Sequence, residues 1–237
     1  MTEPLKNPKP NSDAASNTPR LVLLPGLGAD ERLFAGLDVP GFLIETPRLL
    51  IPEPKECMLS YSLRVARALN LRPEDWIGGA SFGSLVAADI ARHRPLAGLV
   101  LIGGALSSAS IPRGLILFAQ LSKFLPARAL LAFFLRPVFF EKVFAPMQRE
   151  HAEQLVEMLA ATPTPFLREG GRLVSGYFSS LNLLCPVHAI HGKLDHVMRP
   201  PAVPDCRLVA NAGHALALTH PGIVADFLRE RLVGPPG

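Results

Sequence analysis

Gly79-Ala80-Ser81-Phe82-Gly83 lies where a short apolar run, Asp75–Ala80, meets a longer stretch of helical spacing, Phe82–Arg94, that Pro95 ends. Few folds accommodate that junction. The strand has to stop and reverse into a helix within a residue or two, and a glycine on either side of Ser81 leaves room where a side chain would collide. Ser81 is then held in a tight turn with its hydroxyl beyond the strand end, and the dipole of the following helix points at it. The plain alternative is a glycine-rich strand-to-helix turn without chemistry.

The same alternation runs through much of the chain. Arg20–Pro25 is a buried strand ending in a Pro-Gly turn, and Phe42–Thr46 is a second strand. Leu59–Leu71 has helical spacing, and Ala97–Ile102 is a strand that finishes at Gly103-Gly104. Pro186–His191 and Cys206–Ala210 are further strands, and Pro221–Leu232 is a final helix. Strands alternating with helices predict an α/β fold with a mostly parallel central sheet flanked by helices. From Ser107 to Leu184 no strand is evident, and the residues are helix-forming and apolar. The expected organisation is therefore a disordered tail over 1–19, a core over 20–106 and 185–237, and a helical cap over 107–184. Ligands of open α/β sheets bind at the carboxyl ends of the strands, so such an insertion is placed to become a lid.

Composition narrows the function classes. The 237 residues suit one domain, and 49% are apolar, enough for a sizeable core. Net charge is +4 with no dense Lys/Arg tract, which argues against a nucleic-acid partner. Lys123, Pro126, Arg128, Arg136 and Pro137 interrupt the apolar segment Leu115–Phe140, so no transmembrane segment is expected. Cys57, Cys185 and Cys206 are odd in number and far apart, which fits neither a disulfide framework nor a metal knuckle. Cys185 and Cys206 are expected to be small core residues. Residues 1–19 lack the apolar stretch of a secretory signal, and with unpaired cysteines this predicts a cytoplasmic protein. His188, His191 and His196 cluster in sequence, but the first two face opposite sides of a strand, so neither a metal nor another cofactor is expected. The sequence is silent on oligomeric state.

A serine hydroxyl needs a base to become a useful nucleophile. His214, in Ala212-Gly213-His214-Ala215, follows the last strand and precedes the final helix, where such a base is required. The alternative is a loop histidine or helix cap; His220, beside Pro221, is less suitably placed. A histidine base needs a carboxylate to fix its tautomer and stabilise its cation. Asp195, in His191-Gly192-Lys193-Leu194-Asp195, sits on the loop after the strand Pro186–His191 and is the candidate, with a turn aspartate as the alternative. Backbone donors for a developing oxyanion would be the amide of Phe82 and, from the loop Pro25-Gly26-Leu27-Gly28, that of Leu27. The competing reading of this loop, a phosphate cradle, lacks the Lys-Ser/Thr pair.

Four segments in order, VLLPGLGADERLF, GGASFGSLVAADIA, PVHAIHGKLDHVMRP and NAGHALALTHPGIVADFL, resemble the α/β-hydrolase superfamily, whose serine, acid and histidine follow one another in that order. The resemblance implies a Ser81–His214–Asp195 triad, with the Leu27 and Phe82 amides as the oxyanion hole. The chain departs from the family in having Pro25-Gly26 where many members have His-Gly, in replacing the glycine-rich loop after the second strand by Thr46–Pro52, and in lacking the first two strands of larger members. The implied activity is that of a small serine esterase, cleaving a carboxylic ester or thioester of an apolar small-molecule substrate through an acyl-enzyme. An acyltransferase on the same triad, or a non-catalytic ligand-binding receptor, are the alternatives. Seven of thirteen phenylalanines, Phe118, Phe124, Phe133, Phe134, Phe139, Phe140 and Phe144, lie between Leu115 and Phe144 of the insertion. Some of these rings are expected to line an acyl pocket favouring medium chains.

Overall fold

The computed structural model describes residues 18–122, 134–178 and 182–233, with the side chains of 118–122 excepted. The tail at 1–17, Phe124, Phe133 and the side chain of Phe118 therefore lie outside the described residues.

Strands β1 (Arg20–Leu24), β2 (Leu43–Glu45), β3 (Trp76–Gly79), β4 (Gly98–Ile102), β5 (Val187–Gly192) and β6 (Cys206–Val209) form one sheet in the order β2-β1-β3-β4-β5-β6. Every neighbouring pair is parallel. The inner strands read as continuous apolar runs because both faces of the sheet are covered. Alternate residues go to opposite sides. Val22, Leu24, Ile77, Leu99, Leu101 and Ala189 pack beneath α1 (Met58–Ala68) and α2 (Phe82–His93). Leu21, Leu23, Val100, Ile102 and Ile190 pack against Leu33, Phe34 and the C-terminal helix, which contributes Val224, Phe227 and Leu228. Helix α2 is buried from Phe82 through Arg92. It is largely apolar on every side, because the sheet lies on one side and helices on the others, and its buried Asp89 and Arg92 are hydrogen-bonded.

Among the described residues no strand lies between β4 and β5. The chain there forms α3 (Arg113–Ser122), α4 (Pro137–Val143), α5 (Arg149–Ala161) and α6 (Thr164–Gly176). Phe140, Ala152, Leu155 and Met158 make a satellite core that closes on Ala215, just past β6. The segment is pinned at its return to the sheet by a buried polar cluster. Asp89 of α2 accepts from Ser62 of α1 at 2.5 Å and from the Tyr177 hydroxyl at 2.9 Å, and Arg92 reaches the same hydroxyl. The chain ends in α7 (Leu216–Thr219) and α8 (Pro221–Leu232). Among the described residues no helix is long and apolar enough to cross a membrane.

Two expectations need correction. The helix expected over Leu59–Leu71 runs Met58–Ala68, because Asn70 adopts a positive φ of 48° that terminates it. Cys185 and Cys206 are half-buried at the edge of the core rather than inside it. Desolvation still pushes the Cys185 thiol up to about 11.

Candidate active site

The junction at Ser81 is built by backbone crowding. A Cβ at Gly83 would fall 2.0 Å from the carbonyl oxygen of Leu24, and one at Gly79 would fall 2.6 Å from that oxygen. Only glycine therefore lets β3 and α2 lie this close to the end of β1. Between them Ser81 has φ +49° and ψ −120°, a conformation that a residue with a side chain adopts at a cost. Ser84 secures the turn. Its hydroxyl donates to the Ser81 carbonyl at 2.6 Å and accepts from the Ala105 amide at 2.9 Å, tying the turn to the end of β4.

Because β1 and β3 are adjacent although β2 intervenes in sequence, the loops after them leave the sheet side by side, where the strand order reverses. Ligands of open α/β sheets bind at such a crevice. Gly26, on the loop after β1, is so close that a Cβ there would lie 3.2 Å from the Ser81 Cβ. A turn closed by the Ala29 amide on the Gly26 carbonyl carries Leu27 and Gly28 along the cavity wall. Phe82 is the first residue of α2, so its amide is one of those that have no acceptor within the helix.

Asp195 and His214 come together because β5 and β6 are neighbours. The amides of Lys193 and Leu194 donate to the carbonyls of Val209 and Ala212, which zips the two post-strand loops together. His214 Nδ1 is then 2.8 Å from Asp195 Oδ2, with both side chains almost wholly buried. The other carboxylate oxygen accepts the amides of Val197 and Met198 at 2.7 and 2.9 Å. Burial is the largest single influence on this carboxyl and opposes its ionisation. The His214 charge, the His191 and His214 contacts and the Met198 amide outweigh it and hold the group far below the ordinary carboxylate range.

Ser81 and His214 both line one cavity of about 60 Å³. Its remaining wall is apolar apart from backbone: Leu27, Leu33, Phe140, Phe144, Leu155 and Leu159 contribute. Phe144 meets the His214 ring edge-on at 4.9 Å, at the end of a row of such contacts that runs from Phe134 through Phe139 and Phe140.

No family model matches the sequence, and no curated protein matches it. Solved structures do match. A thermophilic esterase from Thermogutta terrifontis superposes with a TM-score of 0.69 at 18% identity, over 91% of this chain and 89% of that one. An enol-lactonase from Burkholderia xenovorans gives 0.67 at 16%, over 91% and 93%, and a hydrolase from Pseudomonas aeruginosa gives 0.66 at 21%, over 93% and 92%. The chain has the α/β-hydrolase fold. At these identities the likeness establishes the architecture, and the chemistry has to be read from the site.

Within this hydrolase fold, the structure hydrogen-bonds Asp195 to His214 and sets Ser81 and His214 on one cavity, which Leu27 also lines. His191 also touches Asp195, whereas His188 and His220 lie apart. His188 faces Asp205 at 2.5 Å and stacks on Trp76, while His220 hydrogen-bonds Thr219. Sequence reasoning missed four residues: Ser84 beneath the turn, Leu155 and Leu159 in the cavity wall, and His191 behind Asp195. Only the leucines left a signal, a helical spacing shared with Met158.

Proposed function

We propose that this protein is a serine hydrolase that cleaves a carboxylic ester, or a thioester, through an acyl-enzyme. The observation that carries the reading is the convergence on one cavity of Ser81, held in a strained turn at a helix N-terminus, and His214, hydrogen-bonded to a buried carboxylate. That Asp195 fixes the proton on His214 Nδ1 leaves Nε2 as the basic nitrogen.

In this mechanism Ser81 Oγ attacks the substrate carbonyl carbon as His214 Nε2 takes the hydroxyl proton. The negative charge that builds on the carbonyl oxygen is met by the amides of Phe82 and Leu27, aided by the α2 dipole. The C–O (or C–S) bond then breaks, and His214 returns its proton to the departing alkoxide or thiolate. Water next gives a proton to His214, its oxygen attacks the acyl carbon, and the proton goes back to Ser81 as the acid leaves. Asp195 stays ionised throughout.

The apolar wall suits an acyl group without charge. Phe140 and Phe144 stand in the wall of this cavity of about 60 Å³, and Leu159 lies against Gly28 across it, which favours a short acyl group over the medium chain expected from the sequence. The α3–α6 segment acts here as the cap, since α4, α5 and Phe144 supply one side of the cavity. The names of the similar structures, an esterase and an enol-lactonase among them, point to the same bond type.

Pre-steady-state hydrolysis of p-nitrophenyl acetate tests the reading. The expected result is a burst of nitrophenol close to one per active site, absent from Ser81→Ala with its fold intact. Unchanged turnover in Ser81→Ala would overturn it.

A further inference from the structure

His191 is the last but one residue of β5 and is completely buried, yet the mechanism above gives it nothing to do. Its Nε2 lies 3.1 Å from Asp195 Oδ2 and 3.0 Å from the Met198 carbonyl oxygen. Both neighbours are acceptors, so that nitrogen has to carry the hydrogen. The opposite nitrogen, Nδ1, is buried and has no partner among the described residues. A lone pair is the cheaper thing to leave there, because an unpaired N–H would come with a buried positive charge. His191 is therefore held as the neutral tautomer with its proton on Nε2. Asp195 thereby has a complete set of neighbours: two backbone amides on Oδ1, and two imidazole nitrogens, those of His214 and His191, on Oδ2.

We infer that His191 is a positioning residue, whose single Nε2–H bridges the Met198 carbonyl and Asp195 Oδ2 and so fixes the carboxylate on which His214 is aimed. The inference rests on the triad proposed above. Val197 and Met198 hold one carboxylate oxygen from the front of the loop. His191, fixed to the sheet at the β5 end, holds the other from behind. With three points fixed, the carboxylate plane cannot swing, and Oδ2 stays directed at His214 Nδ1. Among the described residues, Asp195, His214 and His191 are the titratable groups of this cluster.

The test compares His191→Leu, His191→Asn and His191→Gln with wild type and with Asp195→Asn, using p-nitrophenyl acetate and thermal melts. Glutamine carries an N–H at about the reach of Nε2; asparagine reaches only as far as Nδ1, and leucine has no donor. The expected result is a kcat at least about tenfold lower in His191→Asn and His191→Leu with KM nearly unchanged, and recovery to within about threefold in His191→Gln. Should the leucine variant fail to fold, the Gln–Asn pair decides. Equal kcat in those two, or wild-type kcat in a folded leucine variant, would overturn the inference while leaving the triad standing if Asp195→Asn is still crippled. Wild-type kcat in Asp195→Asn would instead overturn the triad, and the inference with it.

Discussion

Ser81 sits in a backbone conformation that its own side chain resists, and the turn is kept because Ser84 and the crowded glycines around it leave no other path. The strain makes a stability prediction separate from activity. Ser81→Ala and Ser81→Gly both remove the hydroxyl, but only glycine relieves the positive φ, so Ser81→Gly should be the more stable by about 1 kcal/mol despite its looser unfolded chain. Urea midpoints of the two inactive variants measure this, and an alanine variant at least as stable would show that the turn stores no strain. The candidate triad was legible in the sequence because each member lies on the turn or loop that follows a strand, and the end of a strand is a local signal. His191 was not. Its position gives a side of the strand, but which acceptors wait there depends on how the loop from Asp195 to Met198 folds back, and no local pattern records that.

Helices α4 and α5 bring the apolar wall to the cavity, and here the sequence was only partly readable. Of the described phenylalanines in the segment, Phe140 and Phe144, four residues apart, line the cavity. Phe139 points elsewhere, in edge contact with Phe134 and Phe140. Helical spacing thus sorts the described rings, which composition alone cannot do. Leu159 lies across the cavity and presses on Gly28, where a Cβ would fall 2.7 Å from its Cδ1. A short acyl group should therefore be preferred, with kcat/KM falling from p-nitrophenyl acetate or propionate to hexanoate. Leu159→Ala and Phe144→Ala should lengthen the cavity and move the optimum upward, since each methylene newly buried can contribute about 0.8 kcal/mol, or up to fourfold. A chain-length series on the three proteins is the check; identical profiles would mean that the acyl group lies elsewhere.

Across the whole molecule, the alternation of strands and helices is a local pattern, so the parallel sheet and the helices described between β4 and β5 could be expected from residue spacing. The strand order could not. It depends on β3 crossing to the far side of β1, a pairing between residues some 55 positions apart, such as Leu21 with Trp76. That crossing brings the Gly26 loop beside Ser81, and the β5–β6 pairing brings Asp195 beside His214, so topology assembles on one edge of the sheet what the sequence scatters over nearly 200 residues. The central claim is that this assembly activates one serine. Treatment with a fluorophosphonate followed by peptide mass spectrometry tests it most directly. A single adduct on Ser81 is expected, lost in Ser81→Ala and formed much more slowly in Asp195→Asn; an unlabelled Ser81, or an adduct on a different residue, would mean that this serine is not the activated one.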